Sequence, residues 1–314
     1  MTPGQYVLRY GRQEGMARIA QGTVKADADF GEGYWTDHWS YGLDLIEDFL
    51  RIWPEREQEL MQMELPWYRP QAQILPREKR YSVSGGELRQ YHFLEETPGE
   101  KWCRDGAENL VKATLLEKLV CMCAMKFAAL DAWGCGIEME GGRPGWYDAL
   151  NGLPALFGSS VTEAMELLRH LRFLKVSLRR YGGKVSLPGP HYMLLMRLKQ
   201  SVEDIPEYTG NTVLVDFWNS SKSALEHCRE EVYTQGAWDY ADCQAEQLAE
   251  MLDTWANFLG QRLALCRGEN GVMPTYCRYR VKMDQGTPSF EKCDMPLFLE
   301  SSVRDMRLCE SEQK

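Results

Sequence analysis

The chain has 314 residues, of which 44% are hydrophobic, so it can form one large or two modest globular domains. Its formal net charge of −10 and its dispersed Lys and Arg residues argue against a nucleic-acid partner. No apolar run approaches the roughly 20 residues that a membrane-spanning helix needs, so no membrane partner is expected. The first residues carry neither a basic start nor an apolar stretch, which predicts a cytoplasmic protein without a signal peptide.

The ten cysteines are expected to be free thiols. A zinc site needs two C-x-x-C or C-x-x-H pairs at matched spacing, and because the sequence has none, no metal is expected. Cys121 and Cys123 lie in an apolar helical run, where free cysteine packs as a small hydrophobic residue. Without a secretory signal, disulfides are not expected either.

Residues 1–30 contain Gly and polar residues without periodicity and are predicted to form a loop or linker. A helix follows, with Thr36 or Asp37 as its N-cap and Pro54 as its end. Its apolar residues recur at helical spacing: Trp39, Leu43, Ile46 and Leu50.

The hydrophobic period changes from helical to alternating between residues 71 and 98. Tyr81 and Val83 alternate before Gly85-Gly86, and the pattern resumes at Leu88. The sequence therefore predicts a β-hairpin insertion at 71–98, with its turn at Gly85-Gly86, in an otherwise all-helical core.

Long helical patterns occupy most of the remaining chain, and Ser160 and Glu163 have capping-box spacing at the start of one of them. The predicted helices are 107–132, 161–180, 191–202, 213–233 and 242–266. The first two are expected to pack together through Leu119, Cys123 and Phe127 on one side and Leu167, Leu171 and Leu174 on the other. After Gly271, the stretch TYCRYRV resembles a strand, and PLFLESSVRDMRL begins another helix.

Helices that alternate with loops rich in Gly, Trp and acidic residues predict a mainly α fold built of helical hairpins. Because no self-similarity at a period of about 34 or 40 residues appears, a repeat solenoid is disfavoured. A toroid of helical hairpins fits better, with functional residues on loops at one end.

The segment Tyr34-Trp35-Thr36-Asp37-His38-Trp39 combines aromatic, acidic and imidazole side chains at a helix N-terminus. In one interpretation Trp35 and Trp39 face the core and Asp37 is only an N-cap. In the other, Asp37 and His38 lie at the mouth of a pocket, where an ionised carboxylate accepts hydrogen bonds from sugar hydroxyls.

A second candidate is the glycine-rich loop at residues 138–152, which lies between strong helices. Loops of this length are usually functional or disordered, and the apolar residues around Trp146 favour function. Asp148 follows Trp146 and Tyr147, where partial burial would raise a carboxyl pKa as a general acid requires. The alternative is that Asp148 is a turn residue or a helix cap.

The number of carboxylates needed depends on the nucleophile. An inverting hydrolase uses an acid for the leaving oxygen and a base that deprotonates water. Phosphate arrives already anionic, so phosphorolysis needs no protein base and instead requires a cradle of cations or N–H groups.

At these two segments the chain resembles the cellobiose phosphorylase-like inverting glycoside phosphorylases, including the β-glucan phosphorylases. Trp146-Tyr147-Asp148 matches the family's Trp-Asn-Asp segment, with Tyr147 in place of the Asn, which implies that Asp148 is the general acid. Asp37 is similar to the family's carboxylate that holds the non-reducing glucose. The remaining substrate-binding candidates are Trp35, His38, Glu140, Arg143, Trp146 and Tyr147.

The resemblance implies an (α/α)6 barrel that cleaves cellobiose or β-glucan oligosaccharides with inorganic phosphate as co-substrate and without a cofactor. Family members also carry β-sandwich domains and later barrel segments, so residues 1–314 are expected to be one incomplete barrel domain. Its expected partners are the oligosaccharide, phosphate, the missing domains and a second copy in a homodimer. Alone, it is expected to expose apolar faces, to self-associate and to have little activity.

Two alternatives remain open. The first is an inverting hydrolase on the same toroid, with Asp148 as acid and Glu138, Glu140 or Asp37 as base. The second is a non-catalytic helical module that binds carbohydrate or another partner. In both enzymatic hypotheses, Asp37 and Asp148 should lie near one another at the same end of the helical layer.

Overall fold

The computed structural model describes residues 38–69, 72–90, 94–97, 99–100, 102–140, 157–181, 183–206, 210, 212–234, 239–268, 271–284 and 287–312. Within these ranges the fold is mainly α, as predicted. The helices are α1 Ser40–Ile52, α2 Glu57–Met61, α3 Arg77–Arg80, α4 Leu115–Ala128, α5 Val161–Tyr181, α6 Gly189–Glu203, α7 Val215–Thr234, α8 Ala245–Leu265 and α9 Glu300–Glu312. None of them combines the length and apolar content that crossing a bilayer requires.

Short antiparallel strands join the helices. Four two-stranded sheets pair β1 (Glu64–Pro66) with β6 (Lys112–Thr114), β2 (Ala72–Ile74) with β5 (Leu94–Glu96), β3 (Tyr81–Ser84) with β4 (Glu87–Gln90), and β9 (Lys184–Pro188) with β10 (Tyr240–Gln244). A four-stranded sheet has the order β12 (Thr287–Cys293), β11 (Tyr276–Asp284), β8 (Phe157–Ser160) and β7 (Ile137–Glu138). The prediction of a single hairpin in an all-helical core is therefore wrong, because several strands are too short to show an alternating pattern.

The predicted hairpin itself is confirmed. Ser84 pairs with Glu87 across a two-residue turn, and Gly85 and Gly86 have φ angles of 63° and 80°. Two positive φ angles are typical of the type I′ turn that matches strand twist, which explains the glycine pair. Outside this hairpin, β2 pairs with β5, so the predicted insertion contains two strand pairs and helix α3.

The predicted contact between α4 and α5 is confirmed, and all six residues named for it are buried in the main core. On α4, the Phe127 ring stacks on Trp255 of α8, with 4.4 Å between ring centroids. Helices α5 and α8 run antiparallel, since Arg179 bonds Glu246 while Lys175 bonds Asp253. Helix α4 thus packs against α5, α6 and α7, while α5 packs directly against α8.

Helix α4 begins at Leu115, so its predicted start at residue 107 is wrong. Residues 107–114 form a turn and strand β6 instead, and Thr114 caps the helix through a reciprocal capping box with Glu117. At the start of α5, Ser160 Oγ accepts a bond from the Glu163 N–H at 3.2 Å. This is half of the predicted capping box, because the Glu163 carboxylate binds elsewhere.

The other predicted helices, 191–202, 213–233 and 242–266, correspond to α6, α7 and α8. The strand-like stretch TYCRYRV lies in β11, and the last helical pattern forms α9. Both terminal helices of the described chain attach to α5 by ion pairs: Arg169 binds Glu47 of α1 at 2.7 Å, and Arg304 of α9 binds Glu166 at 2.9 Å.

Large apolar side chains are exposed on these two helices. Leu45 of α1 is 72% exposed, Val303 and Met306 of α9 are 52% and 63% exposed, and Leu299, which directly precedes α9, is 87% exposed. Such residues agree with the expected exposure of apolar faces, while self-association stays a prediction.

The expectation of ten free thiols is wrong. Cys135 and Cys266 form a disulfide across 131 residues of sequence, and the other eight cysteines are thiols. The pair forms because the turn after α4 packs against the end of α8. Sequence spacing gives no sign of a contact that depends on tertiary packing.

Replacing Phe127 with Ala should lower the free energy of unfolding by about 3–5 kcal/mol, because a buried ring leaves a cavity next to Trp255. Urea unfolding followed by circular dichroism measures the change. Val176 on α5 is 48% exposed, so Val176→Ala is the control and should change stability by less than about 0.5 kcal/mol. Equal effects of the two substitutions would contradict the core assignment.

Candidate functional site

Most of the predicted site residues fall outside the described residues. Trp35 and Asp37 precede residue 38, while Arg143, Trp146, Tyr147 and Asp148 lie within 141–156. Two candidates flank these segments and are described: His38, which is exposed, and Glu140, which is largely buried. The geometry of the site is therefore built from the ends of the two segments.

A three-residue contact joins those ends. Trp39 Nε1 donates a hydrogen bond to Glu163 Oε2 at 2.9 Å, and Lys126 Nζ donates to the same oxygen at 3.2 Å. The Lys126 ammonium also lies 4.9 Å from the centroid of the Trp39 ring, a favourable cation–π distance. Trp39 lies two residues after Asp37 in the sequence. Glu163 lies three residues after the end of β8, the strand that follows residues 141–156. The starts of α1 and α5 therefore lie together at one end of the helical layer.

His170 of α5 lies beneath this contact, 5.1 Å from Trp39 between ring centroids. Its Nδ1 is 2.8 Å from the Glu166 carbonyl oxygen, so Nδ1 carries the proton and donates it. Burial lowers the pKa of His170 to about 4. The imidazole is neutral near pH 7, and it packs against the site without titrating there.

Strands β7 and β8 fix both ends of the segment that contains Asp148. Glu138 pairs with Ser159, and the Met139 N–H donates to the Gly158 carbonyl at 2.8 Å. Strand β7 thus ends at Glu138, and the neighbouring strand β8 begins at Phe157. The described residues on both sides of residues 141–156 are therefore fixed in one sheet.

Glu138 is the centre of a buried polar cluster beside these strands. Its Oε2 accepts hydrogen bonds from Trp218 Nε1 at 2.8 Å and from the Tyr279 hydroxyl at 2.7 Å. Lys222 Nζ is 3.7 Å from the other carboxylate oxygen. Burial lowers the pKa of Lys222, whereas burial and the Glu138 charge raise the pKa of Tyr279 well above its ordinary value.

Glu140 is bound at both oxygens by one guanidinium. Arg229 donates from its two terminal nitrogens at 2.7 and 2.9 Å, and Arg80 adds a longer bond at 3.4 Å. Burial opposes the charge on Arg229, but the Glu140 carboxylate outweighs it and raises the pKa of Arg229. Since Arg229 is on α7 and Arg80 is in the insertion, Glu140 links the chain just after β7 to both of these elements.

The hairpin insertion covers one side of this cluster. The Arg77 backbone N–H bonds Glu226 of α7 at 2.6 Å, and its guanidinium reaches Asn219 and Ser223 at 3.0 and 2.7 Å. Strand β4 also contacts β11 of the four-stranded sheet. The insertion therefore packs against the rest of the fold and covers one side of the buried cluster.

Sequence reasoning missed the residues of α7 that hold the cluster together. Trp218, Lys222, Glu226 and Arg229 recur at spacings of three and four, which places one aromatic and three charged side chains on a single helical face. A charged face usually indicates solvent exposure, and only the opposing carboxylates on β7 and after it reveal that this face is buried.

The described residues contain no group of three or more His, Cys, Asp or Glu side chains that could hold a metal ion. No protein-family model matches the sequence, and no curated protein matches it significantly.

Arg229→Met should destabilise the protein by about 3–5 kcal/mol, because the largely buried Glu140 carboxylate loses its bidentate partner and the longer contact with Arg80 compensates its charge less well. The double variant Glu140→Met with Arg229→Met should recover part of that loss, since both charges are gone. Arg51 pairs with Asp48 on the surface, and Arg51→Met should cost less than about 1 kcal/mol. Urea unfolding of the four proteins tests this, and a double variant no more stable than Arg229→Met alone would argue against the pairing.

Acidification should also destabilise the protein through two buried histidines. Burial lowers the pKa of both His170 and His191 from 6.5 to about 4. Because the unfolded chain takes up protons that the folded chain excludes, this stability is present above about pH 6.5 and is lost as the pH falls toward 4. Between about pH 7 and pH 5 the loss should be roughly 1–2 kcal/mol for each histidine.

Urea unfolding at both pH values, with the variants His170→Asn and His191→Phe, measures these contributions. Each variant should reduce the dependence of stability on pH. His227 is on the surface of α7, so His227→Asn is the control and should leave the dependence unchanged. Identical pH profiles for wild type and both variants would rule out the assignment.

Proposed function

We propose that this chain is part of the catalytic (α/α)6 toroid of an inverting glycoside phosphorylase, which cleaves the β-glucosidic bonds of cellobiose or β-glucan oligosaccharides. The observation that carries the proposal is the 2.9 Å hydrogen bond between Trp39 and Glu163. It joins the described ends of the two segments that contain Asp37 and Asp148. This contact supports the proposal that Asp37, as a sugar-binding carboxylate, and Asp148, as a carboxyl acid, belong to one site.

In the proposed reaction, an oxygen of inorganic phosphate attacks the anomeric carbon from the face opposite the glycosidic oxygen. The bond between the anomeric carbon and that oxygen breaks, and Asp148 protonates the leaving oxygen. The products are α-glucose 1-phosphate and the shortened sugar. Asp37 accepts hydrogen bonds from the non-reducing glucose, while Trp35 and Trp146 offer aromatic faces to the rings.

Phosphorolysis is preferred to hydrolysis because of how the neighbouring carboxylates are bound. A hydrolase base must reach a water molecule and accept its proton. Glu138 is 4% exposed and accepts bonds from Trp218 and Tyr279, and both oxygens of Glu140 are bound by Arg229. Neither carboxylate is available as a base without breaking buried contacts, whereas phosphate needs no base. In this proposal Glu140 fixes the chain just before the segment that contains Asp148, instead of binding sugar directly.

The test measures glucose 1-phosphate formation from cellobiose and cello-oligosaccharides in the presence and absence of inorganic phosphate. Asp148→Asn should lower the rate by roughly 10²–10⁴-fold, because it removes the proton donor. Asp48 is exposed on α1, and Asp48→Asn is the matched control that should retain the wild-type rate. The reverse reaction, which releases phosphate from glucose 1-phosphate and glucose, provides a second measurement.

Other outcomes support the alternatives. Glucose release that does not depend on phosphate would indicate a hydrolase. Binding of cello-oligosaccharides, seen as a change in tryptophan fluorescence, without turnover in either direction would favour a binding module. Absence of both binding and turnover would reject a carbohydrate function for this chain.

A further inference from the structure

The cysteines of this chain are in two chemical states. Eight are thiols, several of them fully buried, and only Cys135 and Cys266 are joined. Thiols and a disulfide in one chain indicate that the bond forms because of its position and not from general oxidation. In a reducing compartment, disulfides are usually transient or redox-responsive.

The disulfide holds a turn that is already tightly organised. Asp131 Oδ1 accepts the N–H groups of Trp133 and Cys135 at 3.0 and 3.1 Å, and Asp131 Oδ2 accepts the Ser159 hydroxyl at 2.6 Å. At Gly134, where φ is +70°, an added Cβ would lie 3.0 Å from the Phe258 ring of α8. The turn at residues 131–137 is therefore seated directly on α8.

A second interaction attaches the same turn to the same helix. Arg262 Nε donates to the Trp133 carbonyl at 2.6 Å, and its terminal nitrogens donate to the carbonyls of Gly210 and Thr212 at 2.5 and 2.8 Å. These bonds do not depend on the disulfide. Reduction should therefore loosen the turn without unfolding the protein.

The turn leads directly into strand β7 and hence into Glu138. We propose that the Cys135–Cys266 disulfide is a redox-sensitive staple, that is, a cross-link that fixes the turn at residues 131–137 on α8. By fixing the turn, the disulfide limits the conformational freedom of strand β7. Where the readout is sugar binding, this inference rests on the proposed function. The seating of the turn can be measured without it.

The chemistry is thiol–disulfide exchange with a dithiol reductant. Cys266 is partly exposed at the end of α8, whereas Cys135 is fully buried, so a thiolate reaches the Cys266 sulfur first. The bond between the protein sulfurs breaks, Cys135 leaves as a thiolate and takes up a proton, and a mixed disulfide remains on Cys266. The second thiol of the reductant displaces Cys266, which leaves two protein thiols and an oxidised reductant.

Differential alkylation with peptide mass spectrometry tests the first part. In the oxidised protein, Cys135 and Cys266 should react with the alkylating reagent only after treatment with dithiothreitol and unfolding. Labelling of both residues without a reductant, after exposure of the protein to glutathione disulfide, would overturn the proposal.

Hydrogen exchange tests the second part. Reduction should speed amide exchange in residues 131–140 by roughly tenfold or more while exchange in α5 is unchanged. The variant Cys135→Ser with Cys266→Ser should show the fast exchange under both conditions. Cys293 is a free thiol in β12, and Cys293→Ser is the control that should retain the redox response. Equal exchange in oxidised and reduced wild type would also overturn the staple.

Cellobiose titration of both forms separates this inference from the proposed function. Reduction should raise the Kd roughly fivefold or more if β7 orders the site. Equal affinities would remove the regulatory role and leave the proposed function intact. If neither form binds sugar, the proposed function fails, and the exchange and alkylation results still decide whether the staple exists.

Discussion

A buried carboxylate, Glu138, holds together the part of the molecule where the helices meet the four-stranded sheet. Removing a carboxylate from water costs several kcal/mol, and that cost is offset only when donors surround it. Trp218 and Lys222 from α7 and Tyr279 from β11 meet this need from two sides. Because those donors belong to elements distant in sequence, the charge makes their relative placement specific. Moving either α7 or β11 would remove part of the compensation that this buried ion needs.

Glu140, two residues after Glu138, is compensated in a similar way by Arg229 from α7 and Arg80 from the insertion. The two carboxylates thus attach β7 and the residues just after it to three separate elements. The described residues that flank residues 141–156 are therefore fixed on both sides, by these ion pairs and β7 before them and by β8 after them.

Periodicity predicted those parts of the fold that are set by local physics. The α4–α5 contact follows from apolar residues such as Phe127 and Leu171 at helical spacing, and the Gly85-Gly86 turn follows from the need for positive φ. Strands such as β7, with two residues, lack any pattern because tertiary pairing alone stabilises them. For the same reason the Cys135–Cys266 contact could not be predicted, since it joins residues 131 positions apart.

The candidate site was predictable only as two sequence segments, not as an arrangement. Their aromatic and acidic residues mark Asp37 and Asp148, but the sequence does not show that Trp39 reaches Glu163. Lys222 and Arg229 could not be recognised from the sequence, because charged residues at helical spacing usually form a solvent-exposed helix face. They differ from solvent-exposed residues because burial disfavours the charged form of both side chains. Glu140 outweighs that cost at Arg229, whereas the pKa of Lys222 stays lowered beside Glu138. The residues just before position 141 are therefore held by a strong ion pair, Glu140–Arg229, and a weaker one, Glu138–Lys222. Glu138 depends on Trp218 and Tyr279 for the remaining compensation.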